Sequence, residues 1–208
     1  MSELRKDPFN VIITGVGGQG NVVASRILGN ILARKGYYIT IGETFGATQR
    51  GGSVMSHLRI SKRSVWSPQI PKGKADFVVA LEPIEALRAM ASYGHPGLKV
   101  LSNTRPIYPV DVIAGEKVYP PLAELKEAFS QLTDDICFID ATEEALKLGI
   151  PILGNVIMMG AVAALDVLPF DTADFREVAV ESVPQDKLDI NMTAFELGKT
   201  LAKRATCS

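Results

Sequence analysis

At 208 residues, 47% hydrophobic and 22% charged, the chain has the composition of one ordinary globular domain and not of a disordered or fibrous segment. A net charge of −1 argues against a nucleic-acid surface, and the charged start Met1–Asp7 does not read as a signal peptide. The apolar run Ile152–Leu168 is too short and too polar to span a membrane, and two distant cysteines without a CxxC make a reduced, cytoplasmic chain the simple reading.

In chain order, Phe9–Thr14 is short, apolar and β-branched, so it predicts a buried strand. Gly15–Gly20 follows as a turn. Asn21–Lys35 carries Val23, Ile27 and Ile31 at helical spacing, with Gly36 as its stop. Tyr37–Ile41 predicts a second strand, so that strand, turn, helix and strand make one βαβ unit with a parallel pair. Gly42–Gly52 is a glycine-rich loop, Ser53–Ser61 a strand with a wetter face, and Lys62–Lys74 a second short strand or a loop.

Further on, Asp76–Leu81 and Leu98–Ser102 predict strands, with a helix opening at Pro83 between them. Thr104–Pro120 is punctuated by prolines and suits no regular element. Pro121 opens a helix with Leu122, Leu125, Phe129 and Leu132 on one face, and Ile136–Ile139 is a strand. Asp140 and Glu143 have the spacing of a capping box. Ile152–Leu168 is apolar all round, so it is either a core helix or a homodimer surface. A last helix has Ile190, Ala194, Leu197 and Leu201 in phase. The alternation predicts a single α/β domain over 1–208. Its fold is Rossmann-like and doubly wound, with a mostly parallel sheet and a β-hairpin insertion after the second strand.

Two glycine clusters carry the chemistry. Gly15, Gly17, Gly18, Gln19 and Gly20 lie in a G-x-G-x-x-G turn between strand and helix, where Gly15 suits a tight turn, Gly17 a close approach by a ligand, and Gly20 close helix–strand packing. Free N–H groups at the helix start favour an anion. Glu43 stands where a nicotinamide dinucleotide's ribose would be held, but no hydride-transfer site accompanies it. Gln49, Arg50, Gly51 and Gly52 form the second cluster, with Arg50 able to grip a phosphate or carboxylate. His57 reads as hydrogen-bonded scaffold and Arg59 as an exposed strand residue. Cys137 and Cys207 form no CxxC and read as reduced, Cys137 in the core and Cys207 as an exposed thiol, so no metal site can be read from spacing.

Together, Ile13–Gly20, Gly42-Glu43-Thr44, Gln49–Val54 and His57-Leu58-Arg59 resemble the gamma-type subunits of 2-oxoacid:acceptor oxidoreductases. Gly154–Leu168 and Asn191–Gly198 are similar to the small subunit of the indolepyruvate branch. The resemblance implies a non-redox subunit of an oxidoreductase, inactive alone, with no catalytic residue and no metal of its own. It implies a large partner subunit carrying thiamine diphosphate, Mg2+ and 4Fe-4S clusters. The 2-oxoacid (indolepyruvate, an aryl pyruvate, or pyruvate in the gamma-subunit alternative) would be decarboxylated to an acyl-coenzyme A, with electrons passing to ferredoxin. The nine residues of the two glycine clusters are carried over as a candidate anion or coenzyme A site, or as a subunit interface. A stand-alone nucleotide or coenzyme A module is the other reading.

Overall fold

The computed structural model describes residues 4–46 and 52–205. Among these described residues six strands form one sheet: β1 (Phe9–Val16), β2 (Tyr38–Phe45), β3 (Ser53–Ser61), β4 (Phe77–Ala80), β5 (Lys99–Asn103) and β6 (Asp135–Ile139). They lie in the order β2-β3-β1-β4-β5-β6. β1, β4, β5 and β6 run parallel, while β3 is antiparallel to both of its neighbours. The expected doubly wound sheet with a hairpin is therefore present, but β2 is itself one arm of that hairpin. β1 and β2 do not pair, because β3 folds back between them, with Ile12 opposite His57 and His57 opposite Gly42. Strand β2 runs on to Phe45, so Gly42–Phe45 is strand and not loop.

The period of two along each strand sorts the core into two layers. Val11, Ile13, Phe77, Val79, Leu101 and Ile139 face α1 (Asn21–Arg34) and four C-terminal helices. Ile12, Val78, Val100 and Ile136 face α2 (Pro83–Tyr93) and α4 (Leu122–Ser130). Strands buried on both faces have no polar side to show, which is why β4 reads as the unbroken run FVVA. Between α2 and α4 the short α3 (Val110–Ile113) has no buried residue. Residues 62–74 contain no strand.

The C-terminal helices are α5 (Ala141–Lys147), α6 (Gly154–Ala164), α7 (Thr172–Ser182) and α8 (Leu188–Arg204). α6 follows a 3-10 turn at Pro151–Leu153 and is buried from Gly154 to Val162. It packs inside this chain, so it offers no dimer surface. A Cβ on Gly160 would lie 1.9 Å from the Phe195 carbonyl oxygen, and one on Gly198 would lie 1.9 Å from that of Ile157. The two glycines thus let the backbones of α6 and α8 touch.

Helix starts differ from expectation in two places. Asp140 does not cap α5; its carboxylate accepts from Thr104, and Glu143 pairs with Arg105. A full capping box stands instead at α7, where Asp171 accepts from the Asp174 N–H and Asp174 accepts from the Asp171 N–H. The Asp174 N–H bond is the main reason the Asp171 pKa is lowered. Asp171→Ala is expected to cost about 1 kcal/mol in urea unfolding at neutral pH. A lowered carboxylate pKa contributes stability above the unfolded value, and that contribution fades as pH falls through the folded one. The gap between variant and parent should therefore close in acid. Cys137 is buried as expected, but it is disulfide-bonded and not a free thiol; Cys207 lies outside the described residues.

Candidate functional site

β1 continues through Gly15 to Val16, so the tight part of the turn falls later, at Gly18 (φ 100°) and Gly20 (φ 83°). Both occupy the left-handed region that glycine tolerates best. Gly15 has a different task. A Cβ there would sit 2.6 Å from both Gln19 Oε1 and Asn21 Oδ1. Gln19 does not reach outward to a ligand: Oε1 accepts from the Val16 N–H at 2.7 Å, and Nε2 donates to the Leu81 carbonyl at 2.8 Å. It stitches the end of β1 to the end of β4. Gly20 packs against Asn155 at the start of α6, which would stand 2.1 Å from an added Cβ. The Gly17 N–H donates to the Gly52 carbonyl at 2.9 Å, so the two glycine clusters meet. Gln49, Arg50 and Gly51 lie outside the described residues.

A cleft of about 460 Å³ opens beside the turn, lined by Gly17, Gly18 and Gln19, by Leu81, Arg105 and Ile107, and by Thr142, Ile152, Gly154 and Asn155. It lies where β1 sends its helix to one face of the sheet and the adjacent β4 sends its helix to the other. In open α/β sheets that switch point is where ligands gather. The first turn of α1 has no side-chain cap, which leaves backbone N–H groups for an anion. Arg105 adds a cation on the opposite wall. Its ion pair with Glu143 is about half exposed on both sides, so the pair is weak and exchangeable.

A second cleft of about 250 Å³ lies across Ile107, lined by Gly52, Ser53, Glu82, Glu85, Arg88 and Tyr119 among others. Glu82 is 1% exposed. Burial pushes its carboxyl pKa up, against bonds from the Tyr119 hydroxyl, the Glu85 N–H (3.0 Å) and the Ile107 N–H (3.4 Å). Burial, and then Glu82 itself, raise the Tyr119 phenol far above its ordinary range. Glu85 accepts from Ser53 Oγ and from Arg88, each at 2.5 Å.

Two other expectations fail. His57 is buried edge-on to Tyr93, but neither ring nitrogen has a hydrogen-bond partner, and burial lowers its pKa and keeps it neutral. Arg59 is buried and not exposed: Nε donates to Asn10 Oδ1 at 3.0 Å, and the guanidinium lies over the Trp66 ring. Glu43 lies on the outer arm of the hairpin, 3.6 Å from Arg26. It is cut off from β1 by β3 and cannot serve a ribose at the glycine turn. Arg105, Glu82, Tyr119 and Asn155 escaped the sequence reading. Only Glu82 carries a signal there, an acid at a strand's carboxyl end directly before a helix-opening proline. Among the described residues no group of three or more His, Cys, Asp or Glu could hold a metal ion, and no helix is long and apolar enough to cross a membrane.

Residues 10–201 match the family model described as pyruvate ferredoxin/flavodoxin oxidoreductase. The sequence is 39% identical over 196 residues to the indolepyruvate oxidoreductase subunit IorB of Thermococcus kodakarensis, covering 94% of this chain and 96% of that one. The fold is similar to the pyruvate oxidoreductase subunit PORC of Thermotoga maritima, with a TM-score of 0.69, 22% identity, and coverage of 98% and 99%. It also resembles part of a 2-oxoglutarate:ferredoxin oxidoreductase chain from Magnetococcus marinus, solved with 2-oxoglutarate, coenzyme A and succinyl-CoA. There the TM-score is 0.75 at 21% identity, over 98% of this chain and 32% of that longer one.

Proposed function

Because this chain belongs to the pyruvate ferredoxin/flavodoxin oxidoreductase family and is a small subunit of a 2-oxoacid:ferredoxin oxidoreductase, we propose that its holoenzyme oxidises indolepyruvate or a similar aryl pyruvate and that this chain offers the glycine-turn cleft to coenzyme A. The 39% identity along nearly the whole chain to an indolepyruvate oxidoreductase subunit supports the substrate class. The cleft supports the second part. Its uncapped helix start and Arg105 suit a phosphate, and its apolar wall of Leu81, Ile107 and Ile152 suits a less polar segment. Gln49, Arg50 and Gly51 are the part of the second glycine cluster that directly precedes Gly52 in the sequence, and Gly52 lines the neighbouring cleft.

Thiamine diphosphate, Mg2+ and the 4Fe-4S clusters belong to the larger partner in this reading and supply decarboxylation and electron transfer to ferredoxin. This chain's own residues bind, orient and exclude water. Exposed Val23, Phe45 and Ile152 ring the turn and give that partner an apolar surface to cover. Co-expression with the larger subunit should yield one complex on gel filtration, and the small chain alone should show no 2-oxoacid oxidation. Two separate peaks, with full activity in one, would overturn the reading.

Calorimetry on the complex tests the cleft. Arg50→Ala should weaken coenzyme A binding about tenfold or more, since a charged hydrogen bond contributes about 1.5–3 kcal/mol. Equal affinity in variant and parent would remove Arg50 from the site.

A further inference from the structure

Residues 104–120 leave β5 and return at α4 without a fully buried side chain; Tyr119, near the end of the span, packs partly against the second core layer. Several of its large apolar groups, among them Val110, Ile113 and Val118, stand almost wholly in solvent. A segment that touches the core with one tyrosine has little hydrophobic reason to stay in place. Its root is tied down by Thr104 to Asp140 and Arg105 to Glu143. Beyond the root, one carboxylate holds both ends: Glu82 Oε1 accepts from the Ile107 N–H and from the Tyr119 hydroxyl. Tyr119 also meets the Ile84 backbone at the start of α2, and further contacts are internal, with Tyr108 edge-on to Tyr119 and Lys117 on Asp111. Glu82 is fixed in turn, since its other oxygen caps α2 through the Glu85 N–H. Ile107 lines both clefts and so stands in the partition between them.

We propose that residues 106–119 form a strap pinned shut by the Glu82 carboxylate, and that releasing it joins the glycine-turn cleft and the Glu82 cleft into one trough. The trough would run from the start of α6 to the base of the hairpin at Gly52. Glu82 and Tyr119 are positioning residues in this device. They set the shape of the site and touch no reacting atom.

Hydrogen exchange on the full chain, alone or in its complex, reads the strap directly and needs no ligand. Tyr119→Phe removes only the hydroxyl and should speed exchange within 106–119 about tenfold, while β4 and β5 keep their protection. Glu82→Gln retains a single acceptor oxygen for bonds now made at two, and should loosen the same segment. In a Tyr119→Phe background, Ile107→Cys should react with a maleimide about tenfold faster than in the parent background. Unchanged exchange over 106–119 in both folded variants, an acceleration spread equally through β4 and β5, or unchanged labelling at position 107 would each overturn the proposal.

Discussion

Gly160→Ala is expected to lower the unfolding free energy by about 3 kcal/mol, enough to consume a large part of an ordinary domain's margin. An added Cβ would stand 1.9 Å from the carbonyl oxygen of Phe195 and 2.8 Å from its carbonyl carbon. Those atoms are backbone in the middle of α8, so no side chain can swing aside. The whole helix must move outward, opening the stacked Phe175–Phe195 pair beneath it. Gly198→Ala makes the reciprocal clash with Ile157 and should cost a similar amount. Because one outward shift of α8 relieves both contacts, the double variant should lose less than the two single losses combined. Urea unfolding of the three variants checks this. Midpoints unchanged from the parent would mean that α6 and α8 are not in backbone contact.

Gln19→Leu should cost about 1–3 kcal/mol at nearly constant side-chain volume. It leaves the Val16 N–H and the Leu81 carbonyl without their partner, and because both bonds are part-buried the loss lies below the full cost of stranding two buried groups, about 1–3 kcal/mol each. Gln19→Glu is the informative comparison, for it keeps an acceptor toward Val16 and loses the donor toward Leu81. It should fall between parent and leucine variant in thermal unfolding. On the proposal that the cleft takes coenzyme A, titration of the same proteins should weaken in step, because the turn that Gln19 braces is a wall of the cleft. A glutamine that faced solvent and ligand instead would change affinity and leave the melting temperature alone.

How far the sequence revealed this molecule depended on whether a signal was local. FNVIIT, DFVVAL and the α1 stripe are short-range patterns, and each became the expected element with small shifts of boundary. The hairpin's return between β1 and β2 is a long-range choice that no period in YITIGETF encodes. α7 went unseen because its start is Asp171 and Asp174, not the usual serine or threonine with glutamate. Its buried face is also narrow, with only Phe175, Val178 and Ala179 inside. At the site, glycine spacing located the turn, but it could not tell that Gln19 points inward. Arg105, Glu82, Tyr119 and Asn155 come from four separate parts of the chain, and only folding brings them to one end of the sheet.

The antiparallel arm also bears on how the chain acquires its shape. β2 and β3 are neighbours in sequence and can zip together on their own, as hairpins do in microseconds. β1, although it precedes both in the chain, finds its partners only much later, since Phe9 pairs with Ile60 and Val11 with Phe77. During synthesis β1 is therefore an orphan until the hairpin and β4 exist to receive it. Until then its apolar run FNVIIT is exposed in the nascent chain, the kind of surface that invites aggregation.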